Sequence, residues 1–414
     1  MTRKIFPHMS VHQPSGKGSS RSEPSVHRAG WVIADQNTII QNGYVKIQNG
    51  YITETGKGRR VPNDHEVDYG EGVILPGLVN AHTHLELSAL KDSVQTTAGF
   101  QAWVKELIEK RAELDLKTLK QGAVSGMRDL LSSGCAVVGE ISTLGITQDL
   151  FSESVLSGVW FQEFLGNPRN PVLKCRKGNR QHLSVAGHAP HTTSPDILKK
   201  LKALSLREKL PFSIHLSESE DERLFFEQGR GQWADFLTER GIDFSGWDIR
   251  GKTPVAYADT LGLLDSQTLA VHVNYADEED LRIISEKNVF VCLCLRSNAR
   301  LHDRIPDVKG LMKKNIRLCL GTDSLASVET LSIFDEMAYA AEKFPSIPPG
   351  EILAMATENG AAALGFPGVL GSLLPGGVGV FQYIPLAAAN EKQLLEHLVN
   401  AGFDGSPQMI MVTE

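Results

Sequence analysis

Cysteine is scarce in this chain and scattered along it. The five thiols, Cys135, Cys175, Cys292, Cys294 and Cys319, include no Cys-x-x-Cys pair. A disulfide framework is therefore excluded, and reduced thiols in a cytoplasmic protein are the expectation. Cys292 and Cys294, one residue apart in an apolar run, read as small hydrophobes of a strand ahead of metal ligands. A long Lys/Arg run is also missing and the formal net charge is -7. That balance argues against a phosphate-backbone footprint and so against nucleic acid as a partner. Nor does any segment approach the roughly 20 apolar residues that span a bilayer, and the first residues carry no apolar signal-peptide core. What remains is a protein whose partner is a small molecule.

What is present is ample core-forming material. Hydrophobic residues make up 41% of the 414 positions and charged ones 22%, the profile of a soluble protein with one large domain and a smaller one. Residues 1–26, rich in Ser, Gly, His, Lys and Arg, read as a flexible polar extension. Residues 27–75 hold short β-like runs with Asn-Gly turn signals, and residues 366–414 return to that texture. The two ends are expected to build one β unit, and residues 76–365 the main domain. Within it, strand-like runs alternate with helical patterns: CAVVGEIS from 135, SGVWFQEF from 157, LSVAGHAP from 183, FSIHLSE from 212, LAVHVNY from 269, VFVCLCL from 289 and IRLCLGTDS from 316. With the run carrying His82, about eight strand-helix units result, the number that closes a parallel α/β barrel. A doubly wound open sheet is the alternative.

In a parallel barrel the chemistry collects at the C-terminal ends of the strands. His82 and His84 end the first run, His188 the fourth, His215 and Glu218 the fifth, His272 the sixth and Asp323 the last. Each has a bland reading alone: a satisfied core histidine, a helix cap, a solvated first-turn acid. Together, three histidines and one aspartate satisfy a divalent metal and leave room for water, with Glu218 placed to carry a proton.

Pro76-Gly77 with His82-Thr83-His84, His215-Leu216-Ser217-Glu218, His272 and Gly321-Thr322-Asp323-Ser324 together resemble the amidohydrolase superfamily, in its cytosine-deaminase-like and chlorohydrolase-like branch. The likeness runs from about residue 27 to the end of the sequence. It implies a (β/α)8 TIM-like barrel flanked by a small β-sandwich from both chain ends. It also implies His82, His84, His215 and Asp323 as ligands of one divalent ion, zinc ahead of iron, with Glu218, His272 and Asp323 handling protons and water. No lysine stands at a mid-barrel strand end, where binuclear relatives bridge two metals.

Within that family the segments HTHLELSAL, GHAPHTTSP, HLSESEDE, CLRSNARL and GTDSLAS look most like aminodeoxyfutalosine deaminases of menaquinone biosynthesis. The resemblance implies that His188, Glu86 and Arg296 contact substrate, Arg296 through a carboxylate. Two departures, Leu295 before the Arg-Ser-Asn and His191 where many relatives have tyrosine, point to an altered pocket. Deamination of S-adenosylhomocysteine or methylthioadenosine, triazine-type chlorohydrolysis and a noncatalytic scaffold are the alternatives. Relatives are often dimers, so a homodimer is an expectation.

Overall fold

The computed structural model describes residues 10–12, 23–58, 65–95, 99–168, 171–400 and 408–412. Most of the expected N-terminal extension lies outside these residues, although Ser10–His12 is a strand paired in parallel with Gln408–Val412. Eight strands form one parallel sheet in sequence order: β1 (Leu78–Thr83), β2 (Cys135–Ser142), β3 (Ser157–Phe164), β4 (Gln181–Gly187), β5 (Phe212–Leu216), β6 (Thr268–His272), β7 (Phe290–Leu293) and β8 (Arg317–Leu320). A parallel bridge between Thr83 and Asp323 joins the last strand back to the first. The strands are buried on nearly every residue, as helices on the outside and side-chain layers on the inside require. This is the barrel the alternation of patterns predicts, and the open sheet is excluded.

A second, mixed sheet takes strands from both chain ends, including Ser25–Asp35, Thr38–Gln48, Val73–Pro76 and Val380–Ile384. It encloses its own cluster of Val32, Val45, Ile47, Ile74, Leu373 and Phe381. Its first long strand starts at Ser25, two residues ahead of the boundary expected from composition. The C-terminal part also holds a helix, Glu391–Asn400, that packs on the barrel helix Ile333–Lys343. The chain crosses between the two sheets at Pro76-Gly77, where Val73–Pro76 ends and β1 begins. Gly77 is required there because a Cβ would stand 2.4 Å from Ala136 Cβ. The start of β1 is thereby fixed, and with it the depth of His82.

Candidate active site

The residues that end the strands converge at one mouth of the barrel. β1 carries His82 and stops at Thr83, so His84 lies one residue past it. The two rings meet edge to face with centroids 4.9 Å apart. Nε2 of His215, from β5, stands 3.3 Å from Nε2 of His82, and ligand atoms of His82, His84 and His215 all fall within 4.8 Å of one another. The seam that closes the barrel holds this cluster in place: Thr322 N and Asp323 N both donate to His82 O at 3.1 Å, and His84 N donates to Asp323 O at 3.2 Å. Asp323 Oδ1 faces His84 Nε2 at 3.7 Å, while its Oδ2 accepts from Ser297 and Ser327 hydroxyls at 2.7 and 2.9 Å.

Electrostatics suit a cation. Burial, then mutual repulsion among the imidazoles, pushes His82 and His84 well below the ordinary histidine range. Burial, then the neighbouring His191, takes His188 down to about 4. The rings are therefore neutral near pH 7, with lone pairs free for a metal. His215 Nδ1 lies 2.8 Å from the His188 carbonyl oxygen, which puts the proton on Nδ1 and turns the Nε2 lone pair to the centre. That bond also bears on a second grouping of Glu163, His188 and His215, in which the His215 nitrogen facing Glu163 at 3.7 Å is the one already engaged. A triad of neutral imidazoles, beside a carboxylate oxygen, Asp323 Oδ1, that accepts no hydrogen bond among the described residues, is the donor set of a zinc-type site.

Around the triad, Glu218 follows β5 and His272 ends β6. Glu218 Oε1 lies 3.7 Å from His272 Nε2 and 3.3 Å from His302 Nε2. Burial works to raise the Glu218 carboxyl, but the charges of His272 and His302 and the His302 hydrogen bond outweigh it and hold the group below the usual carboxylate range. His272 Nδ1 is 2.8 Å from Asn298 Oδ1, which fixes the ring. Four residues at these strand ends take left-handed backbone: Ser217 (φ 51), His272 (φ 77), Val273 (φ 50) and Asp323 (φ 63). For a β-branched valine that is strain, and strain concentrates where geometry serves function.

The residues expected to contact substrate divide. His188 lies in the cluster, its Nδ1 bonded to Thr192 Oγ1 at 2.7 Å. Glu86 is buried, but its carboxylate accepts from Ser142 Oγ, Thr143 N and Leu144 N at 2.8 to 3.1 Å, so it braces the loop after β2. Arg296 is engaged elsewhere. Its Nε donates to buried Glu336 at 2.8 Å and its terminal nitrogens to Thr330 and Ser332. Its neighbour Ser297 faces Asp323, and one residue along a helix turns the side chain by about 100°. Arg296 therefore faces Glu336 while Ser297 faces Asp323.

Other residues of the site escaped sequence reasoning. Glu163, in β3, is buried, and its Oε1 faces His215 Nδ1 but has no hydrogen bond among the described residues. Glu222 accepts from Ser217 N and Glu218 N at 3.3 and 2.7 Å and faces His191 at 3.4 Å, anchoring the loop that carries Glu218. The helix Phe100–Glu113 reaches the site at its start: Phe100 packs 4.5 Å from the His302 ring, and Trp103 Nε1 donates to Ala326 O. Arg111, near the end of the same helix, is half-buried, and its charge reaches Glu163 and His188.

The chain belongs to the amidohydrolase family, whose model matches residues 73–413. It is 28% identical over 365 residues to the 5-methylthioadenosine/S-adenosylhomocysteine deaminase of Pyrococcus furiosus, covering 81% of this chain and 80% of that one. The crystal structure of Helicobacter pylori aminofutalosine deaminase in complex with methylthio-coformycin superimposes with a TM-score of 0.79 at 23% identity, over 90% of this chain and 96% of that one. An adenosine deaminase from Xanthomonas campestris with bound zinc gives 0.73 at 20% identity, over 91% and 88%. Those two likenesses establish a shared fold. By class, then, this is an amidohydrolase-family deaminase, a hydrolase of carbon-nitrogen bonds other than peptide bonds.

Proposed function

We propose that the protein is a zinc-dependent hydrolytic deaminase that releases ammonia from the 6-amino group of a purine nucleoside modified at its 5′ position. Aminodeoxyfutalosine, which would place the enzyme in menaquinone biosynthesis, is the first candidate; methylthioadenosine and S-adenosylhomocysteine come next. The observation that carries this reading is the triad of neutral imidazoles beside the Glu218 and His272 pair. Nucleoside deaminases as the relatives support the substrate class.

His82, His84, His215 and Asp323 Oδ1 would hold the ion. A bound divalent cation supplies the Lewis acidity that brings the pKa of water toward about 7. His272 Nε2 orients the attacking oxygen, its ring fixed from behind by Asn298. Glu218 starts as a carboxylate, takes one proton from the water and places it on the purine ring nitrogen next to the attacked carbon, so that negative charge does not build there. Asp323 Oδ1 passes the second proton to the amine, which leaves as ammonia. His188 serves the nucleoside from the β4 end. Arg111, in place of Arg296, is the cation available to an acidic group on the substrate tail.

Ammonia release measured across aminodeoxyfutalosine, methylthioadenosine, S-adenosylhomocysteine and adenosine, with chloride release from chlorotriazines in parallel, tests the proposal. At least one nucleoside should turn over with a kcat/KM above about 10,000 M⁻¹s⁻¹, within the usual range of enzymes. Chloride release without ammonia release would replace this reading with the chlorohydrolase one.

A further inference from the structure

Glu218 has three side-chain torsions, and an unrestrained side chain of this kind holds up to about 2 kcal/mol of rotamer entropy. A proton carrier must nevertheless keep one oxygen aimed at the reacting atom. The 3.7 Å separation from His272 Nε2 is too long for a hydrogen bond. Among the described residues, the one hydrogen bond to the Glu218 carboxylate comes from His302 Nε2, at 3.3 Å to Oε1.

His302 is the last residue of the helix Leu295–His302, and its side chain is 3% exposed. Asn298, one helical turn earlier, orients His272, and Ser297 holds Asp323 Oδ2 at 2.7 Å. One short helix therefore serves three groups of the site. Positions 298 and 302, four apart, share a helix face, which is why the two imidazoles at Glu218 arrive side by side. Phe100 packs against the His302 ring with centroids 4.5 Å apart and keeps it from swinging out.

We propose that His302 is a positioning residue acting through Glu218: its Nε2–H holds Oε1, so that Oε2 is the oxygen that carries the proton to the substrate. This rests on the reading of Glu218 as the proton carrier. An imidazole at this point does what a lone carboxylate on a loop does not, and restraint by an outer hydrogen bond is commonly worth about 10- to 100-fold in activity.

Two variants of the metal-loaded, full-length enzyme test the inference. His302→Ala should lower kcat by about 10- to 100-fold with KM within about threefold and metal content unchanged. His302→Gln, whose amide nitrogen reaches the position of Nε2, should recover most of the loss. A kcat for His302→Ala within twofold of wild type, or a glutamine variant no better than the alanine one, overturns the role. Crystal structures of the zinc-loaded wild type and His302→Ala give a substrate-independent arm. The Glu218 carboxylate should leave its position in the variant, and an unmoved carboxylate overturns the inference even if no purine nucleoside proves to be a substrate. Failure of every nucleoside in the wild type, with Glu218 displaced in the variant, would instead sink the proposed function alone.

Discussion

Two clusters of buried polar groups lie on different faces of the helix Leu295–His302. On the mouth side, His82, His84, His215, Asp323 and Glu218 crowd together, with His82 Nδ1 and Glu163 Oε1 lacking hydrogen bonds among the described residues and four backbone positions left-handed. On the outer side, Arg296 gives its donors to Glu336, Thr330 and Ser332, and Glu336 is fully buried beneath it. The outer cluster satisfies its own demand. The mouth leaves demand unmet, and unmet demand in a buried polar site is what a ligand answers. Arg296 and Asp323 both follow strands in family-like motifs, so the motif alone does not separate the two clusters.

The largest effect that sharpens this contrast is loss of a triad member. His215→Ala should remove most of the bound metal and the activity with it; near-stoichiometric zinc by elemental analysis in that variant would break the assignment. Glu218→Gln keeps shape but not proton transfer, so turnover should fall about 100- to 10,000-fold with metal content normal. Metal loss in that variant would make Glu218 a ligand.

The outer cluster should respond in stability. Arg296→Met strands the Glu336 carboxylate without its partner, at a cost of about 3 kcal/mol in chemical denaturation. KM values for acidic and neutral nucleosides should change by one common factor. Arg111→Met should do the reverse, raising KM for an acidic nucleoside about tenfold or more with little change in stability. If Arg296→Met instead raised KM selectively for the acidic substrate, the separation of the two clusters would fail.

The smallest effect is a pH dependence of the chelated protein. His188 is depressed to about 4 in the fold and has an ordinary value of about 6.5 when unfolded. The unfolded chain therefore binds more protons in that window, and stability present above pH 6.5 is lost as pH falls toward 4. Thermal melts at pH 7, 6, 5 and 4 should show this decline, and His188→Gln should flatten part of it. An identical slope in both would show that His188 is not titrating as its burial dictates.

Much of the fold was legible because local pattern decides it. The apolar runs beginning near 135, 157, 183, 212, 269, 289 and 316 each overlap a barrel strand, since a strand covered on both faces must read as a continuous apolar run. His82 and His84 stood out because residues two apart near a strand end reach one point. Ser194 caps the helix that Pro195 opens, a rule written in the residue types themselves. The helix Glu391–Asn400 was missed because Gly and Pro in its approach resembled β turns.

Tertiary structure alone decided which polar residues share the site. Glu163 looks like any residue of an apolar strand until β3 closes beside β4 and brings it to His188 and His215. His302, 84 residues from Glu218, meets it only because β5 and the helix after β7 end at the same mouth. Arg296 and Ser297 are adjacent in sequence, yet one faces Glu336 and the other Asp323. Sequence thus determined the elements and the residue types at their ends, because periodicity and capping act over a few residues. The aim of each side chain depended on strand stagger, helix rotation and barrel closure, which are set by packing among segments far apart in the chain.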